Sequence, residues 1–240
     1  MDRETARRTI AGAGAALTEA GRRAPDAPVP SCPGWTVLTV VKHTGLVHQW
    51  STGLLRDYPS ERPAFPKAPP DLPPAEVPDW ADAQRAALLD ALAGSDGDRE
   101  MWAFGQRKQA RFWWRRQAVE TVVHAWDGTA AAGDAWDVTA DAGVAGIEEL
   151  TDWNLARVFA ANPPVWGDGR TVHLHRTDGD GEWLITIGDP PTIERGHAKG
   201  DLAVRGTAGQ LLLWAWNRPA DVEQFGDRAL AEAWAANVKV

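Results

Sequence analysis

Along roughly the first 130 positions, apolar residues recur at three- and four-residue steps; beyond them the pattern shifts to short runs that alternate residue by residue. The first period belongs to helices that bury one face and the second to half-buried strands. Arg3 to Arg22 is an Ala-rich helical stretch ended by Gly21-Arg22-Arg23-Ala24-Pro25. Past Cys32-Pro33-Gly34-Trp35, Thr36 is placed to cap a second helix with Val37, Val40, Val41, Thr44 and Val47 on its inner face. From Tyr58 to Trp80 the prolines Pro59, Pro63, Pro66, Pro69, Pro70, Pro73, Pro74 and Pro78 exclude any lasting regular element, leaving a long connection that serves as a functional cover or a mobile linker. A third helix is expected from Asp79 to Ala93 and a fourth from Phe112 to Ala132, stopped by Gly133.

After Gly133 a helix from Asp141 to Ala161 is closed by Asn162-Pro163-Pro164. Alternating runs follow at 171–175, 182–187 and 201–205, the first two joined by the turn residues Asp178-Gly179-Asp180-Gly181 as a hairpin. Thr207 then caps an apolar helix over Leu211 to Trp216, and Asp227 opens a last amphipathic one. The chain therefore reads as two domains, an all-helical bundle over 1–138 and an α+β module over 139–240 with a small antiparallel sheet. The boundary falls near residues 134–142.

The fourth helix carries the chemistry. Gln117, Glu120, His124 and Asp127 form a polar stripe at three- and four-residue steps between apolar flanks. Glu120 and His124, four residues apart, can grip one divalent cation if a third ligand comes from elsewhere. The same spacing also describes a solvated outer face, and spacing alone favours that. His43 falls on the apolar face of the second helix, where a histidine without company reads as a core residue. His48 lies on another face of that helix and reads as structural. His173, His175 and His197 have no Glu or His partner at helical spacing and are set aside.

Composition narrows the partners. A balance of 25 Lys+Arg against 33 Asp+Glu, net −8, argues against nucleic acid or an anionic membrane as the main partner. No apolar run reaches membrane-spanning length, and Met1-Asp2-Arg3-Glu4 lacks the pattern of a secretory signal, so a cytoplasmic protein is expected. The single Cys32 excludes an internal disulfide and reads as a small buried apolar residue. The excess of Trp, 14 against 1 Tyr and 2 Met, carries the stamp of a GC-rich genome and no chemistry.

Taken in order, Cys32-Pro33-Gly34-Trp35-Thr36-Val37 with Val41-Lys42-His43, Trp102-Ala103-Phe104-Gly105, and the run from Arg115 to Asp127 resemble the mycothiol-dependent maleylpyruvate isomerase family. The run from Ala203 to Trp214 resembles its C-terminal domain, a fold related to sterol carrier proteins. The resemblance implies a DinB-like four-helix bundle with a metal held by His43, Glu120 and His124. Two imidazoles and a carboxylate suit Zn²⁺ and leave coordination positions open; nickel, iron or manganese fit the same ligand types. Relatives often carry His where this chain has Val119, a position off the metal face. The resemblance further implies an actinobacterial enzyme whose thiol cosubstrate, mycothiol, adds to the double bond of a small maleylpyruvate-like electrophile. Rotation about the new single bond and expulsion of the thiol complete that isomerisation. Such a dicarboxylate requires cations, for which Arg205 and Arg218 are the candidates, with Arg111 and Arg116 as alternatives. The competing readings are a non-catalytic protein that binds a lipid or other apolar small molecule, and a metal-dependent hydrolase on the same site.

Overall fold

The computed structural model describes residues 1–69, 71–105 and 108–239, so Pro70 of the proline-rich segment and residue 240 of the second module lie outside it. The chain divides into two compact units, Met1–Asp137 and Val138–Val240.

The first unit is built from α1 (Arg3–Arg23), α2 (Val37–Asp57), α3 (Val77–Gly94) and α4 (Arg111–Ala131). Thr36 caps α2 through its side chain, as its position predicts. Pro78 sits in the first turn of α3, where its missing N–H has no helical partner to lose, so the helix starts just before the last proline rather than after it. Helix α1 packs on α3 and α4, and α2 packs on the same two. The order around the bundle is therefore α1, α3, α2, α4, which sets α2 directly beside α4. That adjacency positions the site. The core is Ile10 and Leu17 from α1, Val40, Val41 and Leu54 from α2, Leu88 and Leu92 from α3, and Trp113, Val119 and Val122 from α4.

Helix α4 is the most deeply set of the four. Gln117 and Asp127 are 1 % exposed and Glu120 8 %, so its polar stripe points inward and is not the solvated face that spacing alone favours. The start of the proline-rich segment is anchored within this unit. Phe65 packs edge-on to Trp50 at 5.5 Å, and the Arg62 guanidinium lies 5.8 Å from the rings of both Trp50 and Trp102.

The second unit opens with α5 (Ala140–Glu149), a π-helical turn (Leu150–Asn154) and α6 (Leu155–Ala161), consecutive helical segments where the periodicity predicts one helix. It continues with β1 (Thr171–Arg176), β2 (Glu182–Thr186), β3 (Thr192–Arg195), β4 (Leu202–Gly206), α7 (Ala208–Ala215), β5 (Glu223–Gly226) and α8 (Arg228–Asn237). Thr207 and Gln210 close a reciprocal capping box on α7, and Asp227 caps α8.

The sheet order is β3-β2-β1-β4-β5. It is mixed rather than antiparallel throughout: β1 pairs β2 antiparallel but β4 parallel, with Val172 opposite Leu202 and His175 opposite Arg205. The physical reason lies in residues 196–201. They leave β3 at one edge and must reach the far side of β1, about three strand spacings of ~4.8 Å away, while also returning to the sheet's other end. That run crosses the sheet face that carries His173 and His175. On the opposite face Val172, Leu174, Trp183, Ile185, Leu202 and Val204 are buried. Among the described residues no helix is long and apolar enough to cross a membrane.

Candidate metal centre

His43 reaches the site from α2, and Glu120 and His124 reach it from α4. One donor atom from each lies within 4.8 Å of the other two. His43 Nε2 is 3.2 Å and His124 Nε2 3.3 Å from the same oxygen, Glu120 Oε1. Two donors bound at 2.0–2.1 Å to a tetrahedral ion stand about 3.3 Å apart, so the same spacing that makes these contacts hydrogen bonds also fits the edge of a coordination shell. The two rings meet edge to face with centroids 5.1 Å apart.

Each ligand candidate is held from behind. Arg116 Nη2 donates to Glu120 Oε2 at 2.5 Å, one helical turn back, which leaves Oε1 for the imidazoles. His124 Nδ1 lies 3.1 Å from Asp127 Oδ2, so Nδ1 keeps its proton on that side and Nε2 is the nitrogen that would turn a lone pair to the site once it gives up its own proton. Asp127 is in turn fixed by Ser31, whose Oγ donates to Oδ1 at 2.5 Å, and by the Cys32 thiol, 3.6 Å from Oδ2. Cys32 is thus half-buried and hydrogen-bonded, not the apolar core residue its solitude predicts. Cys32, His124 and Asp127 also gather within 4.8 Å, but the hydroxyl and thiol already donate to this carboxylate, which marks Asp127 as an outer partner of His124.

The Cys-Pro-Gly-Trp loop explains itself here. Gly34 takes φ +85°, and the turn closes with the Trp35 N–H donating to the Cys32 carbonyl at 3.0 Å. Trp35 then stacks on the His124 ring at 6.3 Å and tilts against the His43 ring at 5.0 Å, so one indole touches both imidazoles.

The charges follow. Burial works to raise the Glu120 carboxyl, but the Arg116 and His124 charges and both imidazole hydrogen bonds outweigh it and hold Glu120 well below the usual carboxylate range. Burial likewise works to lower His124, and the negative Glu120 and Asp127 outweigh that, raising it well above an ordinary histidine. Without a metal the centre is a buried anion clasped by cations; a divalent ion must displace a proton from His124 to bind.

The four arginines differ in their commitments. Arg116 is held by Glu120, and Arg111 pairs with Asp98. Arg205 stands exposed on β4, loosely paired with Glu223 at 3.6 Å. Arg218 is 9 % exposed and donates to the Trp216 carbonyl at 2.8 Å. His48 is buried, with Nε2 2.9 Å from Thr121 Oγ1, in keeping with a structural role. The sequence reading missed Asp127, Ser31 and Trp35 as supports; the three-residue step from His124 to Asp127 was the available signal for the first.

A helix bundle bearing a two-histidine, one-carboxylate cluster, followed by a small mixed α+β unit, defines the class of protein. Residues 3–127 match the mycothiol maleylpyruvate isomerase N-terminal domain and residues 144–233 match the C-terminal domain of that family. The chain belongs to the mycothiol-dependent maleylpyruvate isomerase family, a family of enzymes. Its fold is similar to the crystal structure of mycothiol-dependent maleylpyruvate isomerase, at TM-score 0.66 and 13% identity over 93% of each chain. A histidine-to-alanine mutant of that isomerase matches with TM-score 0.67, at the same 13% identity and 93% coverage of each chain. No individual curated protein matches the chain.

Proposed function

We propose that this protein binds one divalent ion, Zn²⁺ by ligand type, through His43, Glu120 and His124. We further propose that it uses a small thiol, mycothiol, to isomerise or transfer onto a small electrophile of the maleylpyruvate class. The carrying observation is the convergence of those three donors within 4.8 Å, in a chain of this family. When bound, the ion supplies a Lewis acid that favours the thiolate form of a thiol near neutral pH. The chain's own residues do the rest. Arg116 keeps Glu120 ionised and turned inward, Asp127 holds the His124 Nδ1 proton away from the site, and Trp35 packs against both imidazoles and limits their rotation. The test is elemental analysis combined with turnover of maleylpyruvate with and without thiol. Turnover that needs both metal and thiol supports the reading. Hydrolysis without thiol would replace it with a hydrolase, and an apolar ligand bound without any turnover would replace it with a carrier.

Asp127→Asn keeps the shape but weakens the acceptor that His124 Nδ1 uses. It should lower metal affinity about 10–100-fold, as loss of an outer-shell partner does; equilibrium dialysis against Zn²⁺ measures it. An unchanged affinity would remove Asp127 from the site.

We assign substrate-carboxylate binding in the second unit to Arg205, since Arg218 is buried on a backbone carbonyl. Arg205→Ala should leave metal content intact and cut turnover about 10²-fold, the worth of a charged hydrogen bond of roughly 3 kcal/mol. Steady-state kinetics on metal-loaded protein would show it, and wild-type kinetics would end the assignment.

A further inference from the structure

The polar face of the second unit's sheet carries a cluster unrelated to the bundle. Side chains two apart on a strand share a face, so β1 presents His173 and His175 together. Glu182 on β2 stands directly across from His175 in the antiparallel register. The crossover run 196–201 delivers His197 onto the same face. All three imidazoles converge on one carboxylate: His173 Nε2 is 2.9 Å and His197 Nδ1 3.0 Å from Glu182 Oε2, and His175 Nδ1 is 3.2 Å from Oε1. The ring centroids are 5.9–6.3 Å apart. His173 is 3 % exposed, and Gly200 leaves room for it, since a Cβ there would come within 3.0 Å of the His173 backbone and Cβ.

Ordinary surface electrostatics does not explain this arrangement. One carboxylate neutralises one imidazolium, so three rings around it gain little as cations and repel one another. As neutral bases they are three nitrogen donors beside one anionic oxygen donor. Donor atoms of His173, His175 and Glu182 lie within 4.8 Å of one another, as in the bundle centre. We infer that His173, His175 and Glu182, with the exposed His197 at their rim, form a second metal site, selective for a borderline transition-metal dication such as Zn²⁺, Ni²⁺ or Cu²⁺ over Mg²⁺ or Ca²⁺. It opens on a groove of about 670 Å³ bordered by Lys199, Arg205 and Phe225, so an exchangeable ligand on the ion would be a small anion. Its ligands are distinct from His43, Glu120 and His124, so the site does not rest on the metal proposed there, although Arg205 figures in both readings.

Co²⁺ titration of the full-length chain tests it, because imidazole and carboxylate coordination gives visible d–d absorption. The decisive pair is E120A, which disables the bundle centre, and E120A/H175A. His175 is half-buried at a sheet surface, so its loss spares the fold, which circular dichroism checks. E120A should still take up Co²⁺ at micromolar concentration, and the double variant should bind at least about 100-fold more weakly, beyond what losing an outer-shell partner costs. Adding E182Q in place of H175A should do the same. The inference is overturned if E120A binds Co²⁺ only in the millimolar range, or if the double variant matches E120A. An E120A chain that binds as many ions as wild type counts against the bundle centre alone, so the two readings fail separately.

Discussion

Glu120→Gln should strip the bundle of its metal while leaving the helices folded. The substitution preserves shape but removes the only anionic donor of the three, and Oε1 is the atom that both imidazoles approach, at 3.2 and 3.3 Å. Losing an outer-shell partner costs 10–100-fold in affinity, so losing the central charged ligand should cost about 10³-fold or more. Thiol-dependent turnover should fall in parallel, because the open coordination positions vanish with the ion. A second readout needs no metal. With the Glu120 charge gone, burial acts on His124 against only the hydrogen bonds of Asp127 and Cys32, so the His124 pKa should drop from its raised position. Histidine resonances followed by NMR against pH in chelator would report it. The bundle survives because its stability rests on apolar residues such as Val40, Leu88, Val119 and Val122, none of which the substitution touches. A Glu120→Gln variant that retains metal at wild-type affinity would sink the ligand assignment.

What the sequence made legible follows the physics of each element. Thr36, Thr207 and Asp227 announce helix starts because a cap is a local interaction, written in three or four adjacent residues. Helix α4 was legible as a helix, yet not its orientation. A polar stripe looks the same whether it meets water or a neighbouring element, and it is the packing of α1, α2 and the Ser31–Cys32 loop around α4 that buries Glu120 and Asp127. Strands β3 and β5 escaped because they are edges: β5 is exposed at every position and β3 at most, so neither needs the alternation that betrays a half-buried strand. The parallel β1–β4 pairing is long-range and leaves no local mark. The histidines of the sheet have no partners at helical spacing; the strand period of two and a cross-strand neighbour are what join them. Sites assembled on strands and crossovers are scattered in sequence by construction.

His48 should make the helical unit lose stability as pH falls, over a window where carboxylates stay ionised. Its proton position can be deduced. Thr121 has one hydroxyl hydrogen, which it donates to the Gln117 carbonyl at 2.6 Å, so toward His48 it can only accept. His48 therefore carries its proton on Nε2, and charging it requires a second proton on a ring that is 2 % exposed. Burial, reinforced by the Arg85 charge, pushes the His48 pKa down to about 3. The unfolded chain takes up that proton near its ordinary value of about 6.5. Because the folded value is the lower one, the contribution is complete above about pH 6.5 and is lost as pH falls from there toward 3. Over the full window it approaches 4–5 kcal/mol, and about 2–3 kcal/mol of it should vanish between pH 6.5 and 4.5. His124 does not mask this: its folded pKa is raised, so its contribution is already full below about 6.5. His173, lowered by burial, acts in the same direction as His48 but belongs to the second unit. His48→Gln keeps an N–H for Thr121 and cannot titrate. Urea unfolding of the chelator-treated chain, followed through the helical signal at pH 6.5 and 4.5, should show wild type losing about 2–3 kcal/mol more than the variant. Equal losses in the two would mean that His48 is solvated or already charged in the folded chain.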